Sequence, residues 1–495
     1  MTMTSNSLTS NAVDDGTTTA GPTAGELLAS TVKAYDVRGL VGTQLTADGA
    51  FALGHAFAGL VGAPPHGAGC IVVGHDMRDS SPELGAAFGS GVRSAGLDVE
   101  FIGLASTDML YLASGLLDLP GAMFTASHNP ARYNGVKMCL AGAKPISLDT
   151  GLAAIRDAAV ALLDEGRAAP TPAPGSLPGR PMVTEYADYL LDLVDLSGVR
   201  PLRVVVDAGN GMAGHTVPPI FARLPFILDP LYFELDGTFP NHEANPLDPA
   251  NLVDLQARVR ATGADIGLAF DGDADRCFVV DERGEPVSPS AITALVAVRE
   301  LARRPGSTVL YNLISSVAVP QIVGEHGGRP VRTRVGHSYI KAEMARTGAL
   351  FGGEHSAHYY FADFYGADSG MLAALHVLAA LGRADAPLSE LTRQYQRYVA
   401  SGEINSTVAD VRPCLAAIRA WAEERGAEVD SLDGLTVTVD QGTWFNVRPS
   451  NTEPLLRLNV EAEDKERMSA LRDEILGVIR SAGDGSTNNG WSGSW

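Results

Sequence analysis

The chain has 495 residues, which are too many for one hydrophobic core, so about three or four domains are expected. Its formal net charge of −21 argues against a nucleic-acid partner, and no apolar run reaches the length of a membrane span, so no membrane partner is expected either. The four cysteines are far apart and form no CxxC pair, which argues against a zinc site or a disulfide framework.

The N-terminal residues 1–19 are rich in Thr, Ser and Asn and lack the basic and apolar regions of a signal peptide, so a cytoplasmic protein with a disordered tail is expected. Beyond the tail, strand-like apolar runs alternate with helix-like stretches. Segments 69–74, 202–207 and 308–311 predict buried strands, and the Ala-rich segment 290–303 predicts an amphipathic helix. This alternation is typical of an α/β fold.

Breaks in composition divide the chain into units. The Pro/Ala/Gly-rich stretch 168–181 predicts a linker. Near the end, residues 435–463 alternate like antiparallel strands, and a helix is predicted over 464–481. The predicted fold class is therefore α/β, with three similar mixed-sheet domains and a smaller C-terminal α+β domain. The predicted units are a disordered tail at 1–25, domains at 26–172, 181–286, 287–397 and 398–482, and a flexible tail at 483–495.

The segment TASHNP, residues 125–130, places a serine on a turn that Pro130 enforces. Its small neighbours leave Ser127 accessible from several sides. A turn serine or helix-cap serine is one alternative. A hydrolase nucleophile is another, although no GxSxG elbow surrounds Ser127. His128 is adjacent to the serine, which is usually poor geometry for activating it.

A complete GxGxxG pattern, GNGMAG at 209–214, follows a predicted strand and could open a dinucleotide site. However, Asp207 and Ala208 intervene, and Pro218 and Pro219 disturb the helix that should follow. A tight strand-to-helix turn is the preferred interpretation, and a dinucleotide-dependent oxidoreductase is kept as an alternative.

The segment DGDADR, residues 271–276, carries three alternating carboxylates between two apolar runs. Like charges this close repel one another unless a cation sits among them, and an all-oxygen cluster suits a hard ion such as Mg²⁺. A solvated acidic turn is one alternative. A calcium-binding loop is another, since Glu282 stands at the place of that loop's final glutamate, but Arg276 occupies the position where such a loop needs glycine.

Two further polar loops offer groups for recognising a sugar phosphate. In GGEHSAH, residues 352–358, Glu354 and Ser356 would share a face in extended backbone and suit vicinal sugar hydroxyls. Two histidines in this loop could instead bind a metal, but no third ligand is evident. RPSNTEP, residues 448–454, offers a guanidinium, two hydroxyls, an amide and turn N–H groups, which suit a phosphate; a polar turn between strands is the alternative.

Together TASHNP, DGDADR, GEHSAH and RPSNTEP, in this order, closely resemble the motifs of the α-D-phosphohexomutase superfamily, over about residues 30–480. The segment KAYDVRG at 33–39 is similar to that family's opening motif. The resemblance implies four domains around a central cleft, each giving one loop. It also implies transfer of a phosphoryl group between O1 and O6 of a hexose through a 1,6-bisphosphate, with sugar phosphates as partners of a monomeric or dimeric enzyme.

The resemblance also assigns roles to residues. Ser127 would be the phosphorylated serine, and Asp271, Asp273 and Asp275 would hold Mg²⁺ together with its phosphate. Glu354 and Ser356 would bind sugar hydroxyls, and the phosphate that is not being transferred would be held by Arg448, Ser450, Asn451 and Thr452. Six more residues match family active-site positions, with His128 and Lys137 as candidates for proton transfer: Tyr35, Arg38, His128, Lys137, Arg276 and His337. The implied cofactors are Mg²⁺ and, as activator, hexose 1,6-bisphosphate.

One departure from the family pattern lies after the predicted strand at 308–311. Related mutases often have a basic residue there, whereas residues 312–314 are uncharged, and Arg332 or Arg334 is expected to supply the charge. Within the family, GEHSAHYYF with RPSNTEP resembles the phosphomannomutase/phosphoglucomutase branch more than the phosphoglucosamine branch, which stays an alternative.

Overall fold

The computed structural model describes residues 21–166, 179–449 and 455–483 and, in this part of the chain, contains four β-sheets. The first three sheets are mixed and the fourth is antiparallel throughout. The predicted α/β class with a distinct C-terminal unit is confirmed.

The first sheet has strand order β1-β5-β4-β2-β3, with β6 paired to β5. Thr23 caps the first helix of this unit, because Thr23 and Glu26 exchange two side chain–backbone hydrogen bonds. The predicted tail boundary at residue 25 therefore falls inside a helix. In chain order the elements are α1 Ala24–Thr31, β1 Val37–Leu40, α2 Ala47–Gly62, β2 Cys70–His75, α3 Ser81–Ser94, β3 Asp98–Leu104, α4 Thr107–Leu117, β4 Gly121–Phe124, β5 Tyr133–Leu140, β6 Lys144–Pro145 and α5 Leu152–Asp164.

The second sheet has strand order β11-β10-β9-β7-β8. Its elements are α6 Val183–Leu193, β7 Arg203–Asp207, α7 Ala213–Phe221, β8 Ile227–Leu231, α8 Val253–Thr262, β9 Ile266–Phe270, β10 Cys277–Asp281 and β11 Pro286–Val287. The predicted domain boundary after residue 286 falls inside β11, which pairs with β10. Most of the predicted linker lies outside the described residues.

The third sheet has strand order β13-β12-β14-β15-β16. Its elements are α9 Pro289–Arg303, β12 Thr308–Asn312, α10 Ala318–Glu325, β13 Arg329–Thr333, α11 His337–Thr347, β14 Phe351–Gly353, β15 Tyr359–Phe361, β16 Ala367–Asp368, α12 Gly370–Arg383 and α13 Leu388–Leu391. Within the described residues no single helix is long and apolar enough to cross a membrane, and one bent pair, Gly370–Arg383 with Leu388–Tyr395, passes only on length and composition.

The fourth sheet has strand order β17-β21-β20-β19-β18. Its elements are β17 Val399–Thr407, α14 Val411–Glu424, β18 Glu428–Asp430, β19 Leu435–Asp440, β20 Thr443–Pro449, β21 Leu455–Ala462 and α15 Lys465–Gly483. Helix α15 reaches the residue where the predicted C-terminal tail begins.

The first three sheets repeat one arrangement that places the functional loops. In each, a strand (β2, β7 or β12) pairs in parallel with the first strand of an antiparallel hairpin (β4–β5, β9–β10 or β14–β15). The three hairpin loops hold Ser127, the three aspartates and Glu354. One hydrophobic cluster runs through all three sheets, including Met123, Leu268 and Phe351. The fourth unit has its own core.

Candidate active site

Ser127 lies in the loop between β4 and β5 and points at the second sheet. Its Oγ donates a hydrogen bond to Asp271 Oδ2 at 2.8 Å and lies 3.2 Å from His128 Nδ1. His128 Nδ1 is therefore close to the serine hydroxyl although the two residues are adjacent in sequence, a position usually poor for activation. The backbone of Ser127 is in the left-handed region with φ 51, which allows this turn to hold both side chains together.

Arg78 fixes the serine turn and was missed by the sequence analysis. Its buried guanidinium donates to the carbonyl oxygens of Ser127 and Asn129 at 2.8 and 2.7 Å, and its charge is paired with Asp76. A signal was available, because Asp76 and Arg78 directly follow β2, which runs parallel to β4, so both strands end at the same sheet edge.

Asp271, Asp273 and Asp275 lie between β9 and β10, fully buried, with one oxygen of each within 4.8 Å of the others. The flanking strands contradict the calcium-loop alternative, which needs helices. The Oδ1 atoms of Asp273 and Asp275 are buried without a hydrogen-bond partner among the described residues. Burial and the neighbouring carboxylates raise the pKa of Asp271 to about 8. This excess of buried negative charge and unbonded oxygen fits a metal ion.

Lys137 and Arg276 supply positive charge to this cluster. Lys137 Nζ, from β5, contacts Asp273 Oδ2 at 2.7 Å and Asp275 Oδ2 at 2.6 Å. Although burial opposes it, the two carboxylates raise the pKa of Lys137 well above its ordinary value, so it is an ammonium. Arg276 Nε donates to Asp271 Oδ2 at 2.9 Å.

His128 is held as a neutral ring. Arg276 Nη2 lies 2.6 Å from His128 Nδ1, so Nδ1 is an acceptor. Burial and the charges of Arg276 and Arg38 lower the pKa of His128 well below its ordinary value. Thr107, another residue that the sequence analysis missed, donates to Asp273 Oδ2 at 2.6 Å from the start of α4.

Glu354 lies between β14 and β15 and is buried. Its Oε2 accepts from the Tyr360 hydroxyl at 2.6 Å, and its Oε1 accepts from Gly336 N at 3.1 Å and Asn312 Nδ2 at 3.3 Å. The expectation that Glu354 and Ser356 share a face of extended backbone is wrong, because the segment is a turn closed by a bond from the 357 amide to the Glu354 carbonyl at 3.1 Å. Ser356 Oγ instead contacts His358 Nδ1 at 3.0 Å.

His358 links the third loop to the carboxylate cluster, a role that the sequence analysis did not predict. Its Nε2 lies 3.8 Å from Asp275 Oδ1. Candidate ligand atoms of Asp275, His358 and Asp368 lie within 4.8 Å of one another, so His358 has carboxylate neighbours, whereas His355 is not in this group. His355 lies instead beside Ser356 in the wall of a cavity of about 340 Å³.

This cavity lies between the third and fourth units, and residues of the second unit also line it. Arg448, at the end of β20, lines it and contacts Glu403 Oε2 through Nη2 at 2.5 Å. Ser450, Asn451 and Thr452 lie outside the described residues, so their assignment stays a prediction.

Arg38 lies near the serine loop, and Tyr35 lies near the start of α11. Arg38 Nη1 donates to Asn129 Oδ1 at 2.7 Å and its Nε donates to Asp36 at 2.8 Å. A Cβ at Gly336 would lie 3.7 Å from Tyr35 Cε1. His337 follows Gly336 and begins α11.

The basic residue expected from Arg332 or Arg334 is not in the cavity wall that the described residues form. Arg332 forms an ion pair with Asp430, and the Arg334 guanidinium lies 5.1 Å from the ring centre of Tyr339. Asn312, at the uncharged position, orients Glu354 instead.

The GNGMAG turn supports the carboxylate loop. Met212 N donates to Gly272 O at 2.9 Å, and a Cβ at Gly211 would lie 2.7 Å from that oxygen. The close approach that a dinucleotide pyrophosphate would need is thus used by the protein itself, which supports the interpretation as a tight turn.

Comparison with known proteins agrees with this geometry. Models described as phosphoglucomutase/phosphomannomutase, alpha/beta/alpha domains I, II and III, match residues 29–161, 184–284 and 288–398, and the model of the C-terminal domain matches 403–478. The chain therefore belongs to the phosphoglucomutase/phosphomannomutase family and is a mutase enzyme.

Three relatives are similar over nearly their whole length. Phosphohexose mutases of Xanthomonas campestris pv. campestris are 40% identical over 452 residues, covering 90% of this chain and 98% of the relative. A phosphomannomutase of Escherichia coli is 39% identical over 460 residues, covering 90% and 98%. The crystal structure of a phosphoglucomutase/phosphomannomutase family protein from Burkholderia thailandensis is 34% identical, with a TM-score of 0.81, covering 92% of this chain and 98% of that one.

Proposed function

We propose that the protein interconverts hexose 1-phosphates and hexose 6-phosphates, with mannose or glucose as the sugar, through phospho-Ser127 and a hexose 1,6-bisphosphate. One observation carries the proposal: Ser127 Oγ, from the first sheet, bonds to Asp271 in the buried carboxylate cluster of the second. The relatives named phosphohexose mutases and phosphomannomutase support the same reaction class.

Mg²⁺ is the metal we propose for the cluster, held by Asp271, Asp273 and Asp275 with phosphorylated Ser127. All the donors are oxygen atoms, which suit a hard cation, and two of them accept no hydrogen bond in the described part of the chain. When bound, Mg²⁺ offsets the negative charge of the transferring phosphoryl group.

Side chains around Ser127 stabilise the transferring phosphoryl group and accept the serine proton. Arg276 and Lys137 carry positive charge at the carboxylate cluster and stabilise the oxygens of the phosphoryl group during transfer. When Ser127 takes a phosphoryl group back from the bisphosphate, its hydroxyl proton must leave. In this structure Arg276 Nη2 donates to His128 Nδ1, which lies 3.2 Å from Ser127 Oγ; once Arg276 turns to the oxygens of the phosphoryl group, Nδ1 is free to accept that proton and return it in the reverse step.

The substrate's other end lies in the cavity between the third and fourth units. Glu354 and Ser356 recognise sugar hydroxyls, while Arg448, Ser450, Asn451 and Thr452 hold the phosphate that is not being transferred. The cavity volume of about 340 Å³ is at the lower end of ordinary small-molecule sites, about 300–1,000 Å³. Tyr35, Arg38 and His337 complete the proposed substrate contacts.

The reaction is tested by comparing kcat/KM for mannose 1-phosphate, glucose 1-phosphate and glucosamine 1-phosphate, with and without glucose 1,6-bisphosphate. Ser127→Ala should abolish turnover, and peptide mapping should find phosphate on Ser127; Ser30→Ala, on the exposed face of α1, is the matched control. Full turnover by Ser127→Ala would refute the mechanism, and a preference for glucosamine 1-phosphate would favour the phosphoglucosamine branch. Cytoplasmic location and a monomeric or dimeric state stay predictions.

A further inference from the structure

Two arginines lie side by side on neighbouring strands of the fourth sheet, at the cavity wall. Arg448 on β20 and Arg457 on β21 are directly paired in the strand register and both line the cavity. Like charges placed directly opposite one another destabilise an antiparallel pair. The Nε atoms of both guanidiniums are buried without a hydrogen-bond partner among the described residues. Such a pair indicates a binding site for an anion.

In this structure the anion is a side chain of the protein. Glu403 on β17 places Oε2 2.5 Å from Arg448 Nη2 and Oε1 3.6 Å from Arg457 Nη1. Its carboxylate therefore lies against both guanidiniums at once. The Glu403 side chain is 29% exposed, so it can leave this position for solvent without crossing the core.

A β-bulge aims Glu403 at the arginines. The β17–β21 register shifts between Ala400 and Glu403, and Gly402 within the shift has a left-handed φ of 70. Val460 N, on β21, donates to Ser401 Oγ at 3.0 Å, so the bulge is bonded into the sheet. Bulges commonly re-aim a side chain beside a functional site.

We propose that Glu403 is an exchangeable anion: it neutralises Arg448 and Arg457 when the cavity holds no substrate phosphate, and it gives way to that phosphate on binding. The proposal rests on the proposed function through the role of Arg448. A mutase must release the held phosphate so that the bisphosphate can turn over. Without Glu403, release would leave the buried Arg448 guanidinium and the partly buried Arg457 guanidinium unpaired, which is unfavourable. Glu403 offsets that loss, so it weakens phosphate binding and speeds release.

A purely positioning role for Glu403 predicts the opposite sign. If Glu403 only held Arg448 in place, its loss would weaken phosphate binding. As an exchangeable anion, its loss strengthens binding and slows release. Glu403→Gln keeps the shape and removes the charge, while Glu403→Asp keeps the charge but withdraws it by one methylene. Glu428→Gln, exposed on the edge strand β18 of the same sheet, makes the same change in net charge and is the control.

The first measurement is calorimetric titration of each variant with inorganic phosphate. Glu403→Gln should bind phosphate about tenfold more tightly than wild type, Glu403→Asp should be intermediate, and Glu428→Gln should match wild type. The gain should vanish in an Arg448→Met background. Unchanged or weaker binding by both Glu403 variants, or a gain that persists in that background, would overturn the proposal.

The second measurement is steady-state turnover of glucose 1-phosphate. In Glu403→Gln both KM and kcat should fall, because a tighter grip slows the turning of the bisphosphate. An unchanged kcat with lowered KM would overturn the release role. If wild type turns over no hexose phosphate while phosphate still binds Glu403→Gln more tightly, the proposed function fails and the exchange of anions stands.

Discussion

We expect the ammonium of Lys137 to neutralise the carboxylate cluster when no metal ion is bound there, and the variant Lys137→Met tests this. Lys137 Nζ lies 2.7 Å from Asp273 and 2.6 Å from Asp275, and all three side chains are buried. Removing one partner of a buried ion pair leaves an uncompensated charge and costs about 3–5 kcal/mol. With an unfolding entropy of about 2.1 cal/mol/K per residue, the variant should therefore unfold in EDTA about 3–5 °C below wild type.

Mg²⁺ should restore much of this loss. A ligand present at about 100 times its Kd stabilises the folded state by about 2.7 kcal/mol. In wild type we expect the ion to displace Lys137 from Asp273 and Asp275, so part of that gain is spent on breaking the ion pairs. In Lys137→Met nothing is displaced. The increase in unfolding temperature with Mg²⁺ should therefore be larger in the variant than in wild type.

The assay is thermal unfolding in EDTA and across a Mg²⁺ titration, on samples matched for Ser127 phosphorylation by intact mass. Lys144→Met, on the exposed strand β6, is the control for the same loss of charge and should change stability by less than about 0.5 kcal/mol. If Lys137→Met unfolds with the control in EDTA, Lys137 does not neutralise the cluster. If Mg²⁺ stabilises wild type and Lys137→Met equally, ion and ammonium do not compete.

Three further outcomes are expected. Glu354→Gln should lower kcat/KM about tenfold or more for mannose and glucose phosphates alike, since a charged hydrogen bond is worth roughly 1.5–3 kcal/mol, whereas Tyr360→Phe, which only removes a support of Glu354, should have a smaller effect. Arg448→Lys should raise KM for 1-phosphates and 6-phosphates, with Arg448→Ala worse, while stabilisation by Mg²⁺ is unchanged; a collapse in stability with normal KM would show a structural arginine. Asp108, buried under bonds from Ser369 and others, has its pKa raised by burial to about 7 from 3.8. The folded state then holds the proton more tightly than the unfolded state, so the free energy of unfolding should fall by up to roughly 4 kcal/mol as the pH rises from about 4 to about 7. Chemical denaturation should show that Asp108→Asn loses this pH dependence. The same pH dependence of the free energy of unfolding in wild type and Asp108→Asn would contradict the prediction.

Local patterns were enough to predict the acidic loop and its setting. Three carboxylates between two apolar runs indicated a loop between two strands, and β9 and β10 flank them as expected. The turn that carries Ser127 could likewise be predicted from the sequence, because Pro130 restricts its backbone. In both cases the information lies within a few consecutive residues.

Contacts between units could not be predicted in the same way. Arg78, Thr107 and His358 reach the site from elements far away in sequence. The position of Arg78 after β2 was a signal, but nothing near Thr107 or His358 specifies its partner. The prediction that Glu354 and Ser356 share a face failed for a local reason. Side chains two residues apart share a face only in a strand, and here the strand ends at Gly353, before the turn begins. The three similar α/β domains were predicted, but the strand order that their sheets share was not, because strand order is set by contacts between distant segments.

The charges of the site explain how an acidic protein can bind a dianionic substrate. With a net charge of −21, the long-range field repels sugar phosphates, so attraction must come from short-range pairs. At one end of the site Lys137 is paired with aspartates that would hold the metal, and at the other Arg448 is paired with Glu403. Each cation thus has an internal partner in the free enzyme. Metal and substrate phosphate would then bind by exchanging partners rather than by entering a pocket of open charge. Such an exchange of partners keeps every buried charge compensated at each stage. The same compensation is required when one phosphate of the bisphosphate dissociates from its site so that the intermediate can turn over.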